Sequence, residues 1–128
     1  MIYGIGVDAT EVDRVRGIVE RHGERFLQKV FAPAETAYAG ARARKYEHLA
    51  ARFAAKEAAL KALGIGVAEG MAFNQIEVTN DESGKPGIRL HGAALQRAQE
   101  RGISRIHLSI SHTETLAIAQ VIMEVGSS

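Results

Sequence analysis

The chain contains no cysteine. That absence removes disulfides, thiolate metal sites and cysteine nucleophiles together, and it suits a reducing compartment. Neither charge is in excess: 16 Lys and Arg stand against 15 Asp and Glu, for a net charge of +1. A broadly basic nucleic-acid binder is excluded, so any partner chosen by charge must be met by a local patch. No apolar run approaches the ~20 residues that span a bilayer, and the apolar start Met1–Val7 is broken at once by Asp8, unlike a signal peptide. The chain is therefore expected to be soluble and cytoplasmic, with neither nucleic acid nor membrane as partner. It has no H-E-x-x-H or other metal-histidine spacing and no G-x-S-x-G, which argues against zinc and against a serine hydrolase.

What is present is an ordinary globular balance over 128 residues, 46% hydrophobic and 24% charged. It implies one domain, over 1–125, with 126–128 a frayed tail. Met1–Val7, with Gly4 and Gly6, reads as a buried strand that another backbone approaches closely. Thr10 is placed to cap a helix in which Val12, Val15, Ile18 and Val19 recur at helical spacing up to His22–Gly23. Short helices are expected over Glu24–Phe31 and from Pro33 to Ala39, then a basic loop from Gly40 to Lys45. Lys45–Leu63 is the clearest helix, with Leu49, Phe53, Leu60 and Leu63 on one face; Gly64-Ile65-Gly66 stops it and a loop runs on to Met71. Phe73–Thr79 reads as a strand, turned at Asn80–Pro86 into a second around Ile88 and Leu90. Ala93–Arg101 suits a helix ended by Gly102. A half-exposed strand around Ile106–Ser111 follows, then a turn at His112–Glu114. Leu116–Met123, apolar on both faces, reads as a central strand. The class is α+β, a single compact domain with a small antiparallel sheet packed on a long helix.

Several residues have the character of a site. Asp8 stands between a strand and a helix N-terminus, where ligands and capping acids are both common. Lys56 falls inside the buried stripe of the long helix, Glu57 lies at its edge and Lys61 one turn on. These are either a snorkelling lysine beside an ordinary helix pair, or a carboxylate and two ammonium groups that suit a divalent cation with a polyphosphate. Gly64-Ile65-Gly66 is either a glycine helix cap or a backbone cradle for phosphate. His112, gathered with Ser109, Ser111 and Thr113 at a strand end, offers a base, a metal ligand or a phosphate donor. Arg14 and Arg21 share one face of the first helix with Ile18 between them, either a solvated face or a docking stripe for an acidic helix.

Five segments, in order and covering nearly the whole chain, carry a resemblance: Ile5-Gly6-Val7-Asp8, Arg52-Phe53-Ala54-Ala55-Lys56-Glu57-Ala58 with Lys61, Phe73-Asn74-Gln75-Ile76-Glu77-Val78, Gly84-Lys85-Pro86, and Ser109-Ile110-Ser111-His112-Thr113. The chain resembles the phosphopantetheinyl transferases, of the short bacterial holo-[acyl-carrier-protein] synthase type. The resemblance implies the phosphopantetheinyl transferase fold, a homotrimer with active sites between protomers, and a magnesium ion. It implies transfer of 4′-phosphopantetheine from coenzyme A to a serine of apo acyl carrier protein, by default the carrier of fatty-acid synthesis, with release of adenosine 3′,5′-bisphosphate. By position, Asp8 and Glu57 would hold the metal. Glu57 would also help remove the serine proton, directly or through a metal-bound water. Lys61 would act on the pyrophosphate, and Gly64 and Gly66 would line the phosphate pocket. Arg52 and His112 would bind coenzyme A near its 3′-phosphate, with Arg44 a further candidate, and Thr113 would also bind coenzyme A; Lys56 would be a phosphate ligand or a structural partner. Arg14, Ile18 and Arg21 would meet the carrier protein. Two departures from the family pattern stand out: Ile65 where a hydroxyl residue is common between the glycines, and Ala9 where isoleucine is common. The rivals of another class are a non-catalytic module binding coenzyme A or a nucleotide, and a scaffold trimer with no ligand.

Overall fold

The computed structural model describes residues 1–65 and 73–126; the expected loop from Gly66 to Met71 and the last two residues of the expected tail lie outside them. The chain runs β1 (Ile2–Glu11), α1 (Val12–His22), α2 (Glu24–Val30), α3 (Pro33–Gly40), α4 (Lys45–Leu63), a 3₁₀ turn (Phe73–Gln75), β2 (Ile76–Asn80), β3 (Pro86–Leu90), α5 (Gly92–Glu100), β4 (Ile103–His112) and β5 (Leu116–Val125). The α+β class holds. The antiparallel strands form two sheets, one three-stranded in the order β1-β5-β4 and one the β2-β3 hairpin. β5 is central, as its two apolar faces require.

Helix α4 is the axis of the molecule and is buried on nearly every side, well beyond the single stripe of large residues. Its alanines make this possible. Ala54, Ala55, Ala58, Ala59 and Ala62 pack with Ala119, Val121 and Met123 of the sheet and with Ile76, Val78, Leu90, Ala94 and Ala98 of the hairpin and α5. Its first half instead joins Val12, Val15, Val30, Phe31 and Ala39 of the first three helices, with Leu49, Ala50, Phe53 and Ala117. Small side chains let neighbours close in, and β1 comes closest. A Cβ on Gly4 would lie 1.9 Å from the carbonyl oxygen of Ala62, and one on Gly6 1.8 Å from that of Ala58. The glycines are there because strand and helix backbones touch, as the sequence suggested.

Five expectations need correction. β1 does not end at Val7: pairing with β5 carries Asp8, Ala9, Thr10 and Glu11 into the strand, opposite Ala119, Ile118, Ala117 and Leu116. Thr10 is consequently buried in the sheet and caps nothing; Glu11 occupies the N-cap of α1 without a side-chain cap. β1 is also buried on one face only, with Ile5 and Val7 each 55% exposed on the other. Phe73–Gln75 forms the 3₁₀ turn instead of the start of a strand, and His112 belongs to β4, so the turn follows it.

Candidate active site

The extension of β1 places Asp8 over the second half of α4. Lys61 reaches it, donating from Nζ to the Val7 carbonyl at 3.0 Å and to Asp8 Oδ1 at 3.3 Å. The Thr10 hydroxyl donates to Asp8 Oδ2 at 3.0 Å, so the threonine that fails as a helix cap orients the carboxylate. Glu57 is half-buried beside this group. Burial foremost, and then the charge of Asp8, push its carboxyl above the ordinary carboxylate range, against the pull of Arg14 and Lys61. Two carboxylates together in a partly dry place make a hard oxygen donor set, and a divalent cation answers that charge. Two carboxylates with open positions fit magnesium, which keeps further sites for phosphate oxygens and water. No group of three or more His, Cys, Asp or Glu that could enclose a metal occurs among the described residues.

A second cluster lies at the other side of α4. A cleft of about 190 Å³ is lined by Tyr38, His48, Arg52, Asn80, Gly84, Pro86 and His112, among others. His112 Nδ1 stands 3.0 Å from Glu47 Oε1, and the His112 ring meets that of His48 edge-on at 5.6 Å. Burial first, then the positive charge of His112, Arg42 and Arg52, lowers the pKa of His48. Tyr38 lies between the guanidinium groups of Arg42, 3.5 Å from its ring centre, and Arg52, at 4.3 Å.

Residues 4–121 match the family profile described as the 4′-phosphopantetheinyl transferase superfamily. A holo-[acyl-carrier-protein] synthase of Halothermothrix orenii is 51% identical over 126 residues, 98% of this chain and all of that one. This chain belongs to the holo-[acyl-carrier-protein] synthase family. Solved members of the family superpose along almost the full length. The Neisseria meningitidis enzyme is 37% identical with a TM-score of 0.87, over 97% of this chain and 99% of that one. The Bacillus anthracis enzyme, solved in complex with CoA (3′,5′-ADP), is 35% identical with a TM-score of 0.81, over 98% and 99%.

Among the residues that synthase motifs single out, Asp8, Glu57 and Lys61 come together. Lys56 does not join them. Its ammonium is fully buried, donating to Glu35 Oε1 at 2.6 Å, to the Phe73 carbonyl at 3.1 Å and to the Ile76 carbonyl. All three protons are used. Of the two roles open to Lys56, the structure supplies the partners of the structural one. Burial lowers its pKa and Glu35 opposes that shift. Arg52 is similarly committed. Its terminal nitrogens donate to the Val78 carbonyl at 2.6 Å and to Asn80 Oδ1 at 2.7 Å, while its Nε is buried without a partner. It forms a wall of the cleft and braces the hairpin. Gly64 is the αL cap of α4, φ 79°, its N–H bonded back to Leu60 and Lys61; Gly66 lies outside the described residues. The Thr113 hydroxyl accepts from the amides of Thr115 and Leu116 and so closes the β4–β5 turn. Arg44 is an exposed side chain at the start of α4, its Nε 3.9 Å from Glu47 Oε2. On α1, Arg14 and Arg21 are exposed and Ile18 is half-buried, forming one open stripe.

Glu35, Tyr38, Glu47, His48 and Asn80 were not legible as site residues. Glu35 alone left a trace. It stands third in the helix opened by Pro33 and accepts the Ala32 amide at 2.9 Å, a helix-start pattern readable from sequence. The others are assembled only by the fold.

Proposed function

We infer that this chain transfers 4′-phosphopantetheine from coenzyme A to a serine hydroxyl of apo acyl carrier protein. The observation that carries this reading is the meeting of Asp8, Glu57 and Lys61, which come from two elements 49 or more residues apart in sequence and converge on one edge of α4. The serine oxygen bonds to the β-phosphorus of coenzyme A, the pyrophosphate P–O bond breaks, and adenosine 3′,5′-bisphosphate leaves. Glu57, with its pKa raised, is suited to accept the serine proton on a carboxylate oxygen. Lys61 turns its ammonium to the leaving phosphate and offsets the charge that grows there. Asp8, steadied by Thr10, and Glu57 are the residues that would hold magnesium, whose contribution is to neutralise the pyrophosphate. Arg14, whose charge already reaches Glu57, begins a stripe with Ile18 and Arg21 for the acidic helix of the carrier protein, which brings the serine toward the carboxylates.

The second cluster is read as the seat of the nucleotide half of coenzyme A, with His112 near a phosphate. Ten residues of α4 separate Glu47 from Glu57, about 15 Å along the helix. We therefore propose that neighbouring protomers of a homotrimer each supply one cluster to a shared site. The outer face of the three-stranded sheet supports this assembly: Ile5, Val7 and Ile118 are all exposed there, large apolar side chains that an interface would cover. No helix among the described residues is long and apolar enough to cross a membrane; a cytoplasmic setting belongs to the reading.

The test is substitution of each carboxylate. Asp8→Ala and Glu57→Ala are expected to abolish transfer in protein whose circular dichroism is unchanged. Full activity in either folded variant would overturn the metal assignment.

A further inference from the structure

Glu47 poses a physical question. It stands in the first turn of α4, where an acid gains from the helix dipole while staying in water. Here its side chain is only 11% exposed, and a carboxylate removed from water needs a compensating partner. Arg44 is not that partner, because its Nε lies 3.9 Å away, beyond hydrogen-bond range. Among the described residues the compensating bond runs across 65 positions of sequence to His112 Nδ1, at 3.0 Å. A ring nitrogen facing a carboxylate carries its proton there, so the imidazole is held by Nδ1–H and its Nε2 edge is left for the cleft.

We propose that Glu47 is a positioning residue, which orients His112 so that Nε2–H donates to a phosphate oxygen of coenzyme A. The proposal rests on the reading of this cleft as the nucleotide seat. In the complex the ring lies between two anionic groups, the carboxylate and the phosphate. In that arrangement Nδ1–H and Nε2–H each meet an anionic acceptor. His48, 5.6 Å away, makes no hydrogen bond to a carboxylate among the described residues, and burial foremost lowers its pKa. The cleft thus carries two imidazoles with different duties, and Glu47 selects the one that meets the anion. His112 sits at the end of β4 just before the turn, where its backbone is fixed by pairing with Ala117, so the remaining freedom is that of its side chain. Glu47 removes it.

The experiment is a double-mutant cycle in KM for coenzyme A, with the wild type, Glu47→Gln, His112→Gln and the double variant. Gln keeps the size of Glu and removes the charge. Loss of one charge-assisted bond predicts a KM about tenfold higher in His112→Gln, and a rise of about fivefold in Glu47→Gln with kcat little changed. In the His112→Gln background the Glu47→Gln change is expected to alter KM less than twofold, because its effect passes through the ring. Equal effects of Glu47→Gln in both backgrounds would overturn the positioning role. An unchanged KM in His112→Gln would overturn the phosphate contact, and with it the proposal. A wild type that transfers nothing would overturn the reading of function itself. If Glu47→Gln fails to fold, long-range ¹H–¹⁵N spectra of the wild type decide the geometry: Nδ1 of His112 protonated is the expected result, and a bare Nδ1 with the proton on Nε2 overturns it.

Discussion

Glu57 illustrates the conflict between stability and chemistry at a single residue. Its carboxyl is less acidic in the folded chain than in the unfolded one, because burial and Asp8 oppose its charge. The folded state therefore binds this proton more tightly. The stability that goes with it is complete below the ordinary carboxylate value of 4.5 and is lost as pH rises through the raised value. Above that point the ionised side chain is a standing cost. Glu57→Gln should accordingly raise the melting temperature of the metal-free protein at pH 8, by more than it does at pH 4, while transfer is lost. Thermal denaturation at the two pH values checks the sign. Lys56 and Glu35 make the opposite case, a buried pair that supports structure. Glu35 accepts from Lys56, from the Ala32 amide and from the Val78 amide, tying α3, α4 and the hairpin at one point. Glu35→Ala would strand a buried ammonium and is expected to cost about 3–5 kcal/mol in urea denaturation. The sequence shows Lys56 on a buried stripe but not its partner, since Glu35 is 21 residues away and nothing local joins them.

At the scale of the elements, the contact between β1 and α4 decides where Asp8 stands. Gly6→Ala would drive a Cβ into the Ala58 carbonyl, backbone against backbone with no side chain to move, and is expected to destabilise by about 3 kcal/mol. Gly64→Ala meets nothing within 4 Å and bears only the strain of its φ of 79°, so about 1–2 kcal/mol is expected. The pair of melts separates close approach from conformational strain. Long periodic elements were legible: α4 runs over Lys45–Leu63 as its apolar spacing and its glycine stop require, and the hairpin turns where Asn80–Pro86 says it should. β1 was legible only as far as its apolar residues. Asp8, Ala9 and Glu11 have weak strand preference, and it is the long partner β5, 115 residues from the start, that draws them into the ladder. Local capping logic for Thr10 lost to that tertiary pairing.

At the scale of the whole molecule, the proposed site draws on two clusters along α4 and an open sheet face. If protomers share the site, a charge on that face should dissolve both assembly and activity. Ile118→Lys, on that exposed face, is expected to give a monomer by analytical ultracentrifugation and to reduce transfer in parallel. Reversal of charge at Arg14 acts elsewhere. It should raise KM for the carrier protein without changing assembly, and the wild-type interaction should weaken with salt. The grouping of Asp8, Glu57 and Lys61 was legible because motif residues make it. Of the cleft, Arg52 and His112 were named from motifs, but Tyr38, His48 and Asn80 were not, because its walls come from α3, α4, the hairpin and β4, and no spacing in sequence brings those together. The most direct test of the account is intact-mass spectrometry of apo acyl carrier protein incubated with this chain and coenzyme A, with magnesium and with chelator. A mass gain of one phosphopantetheine in the magnesium sample alone is the predicted result; an unchanged mass in both would contradict it.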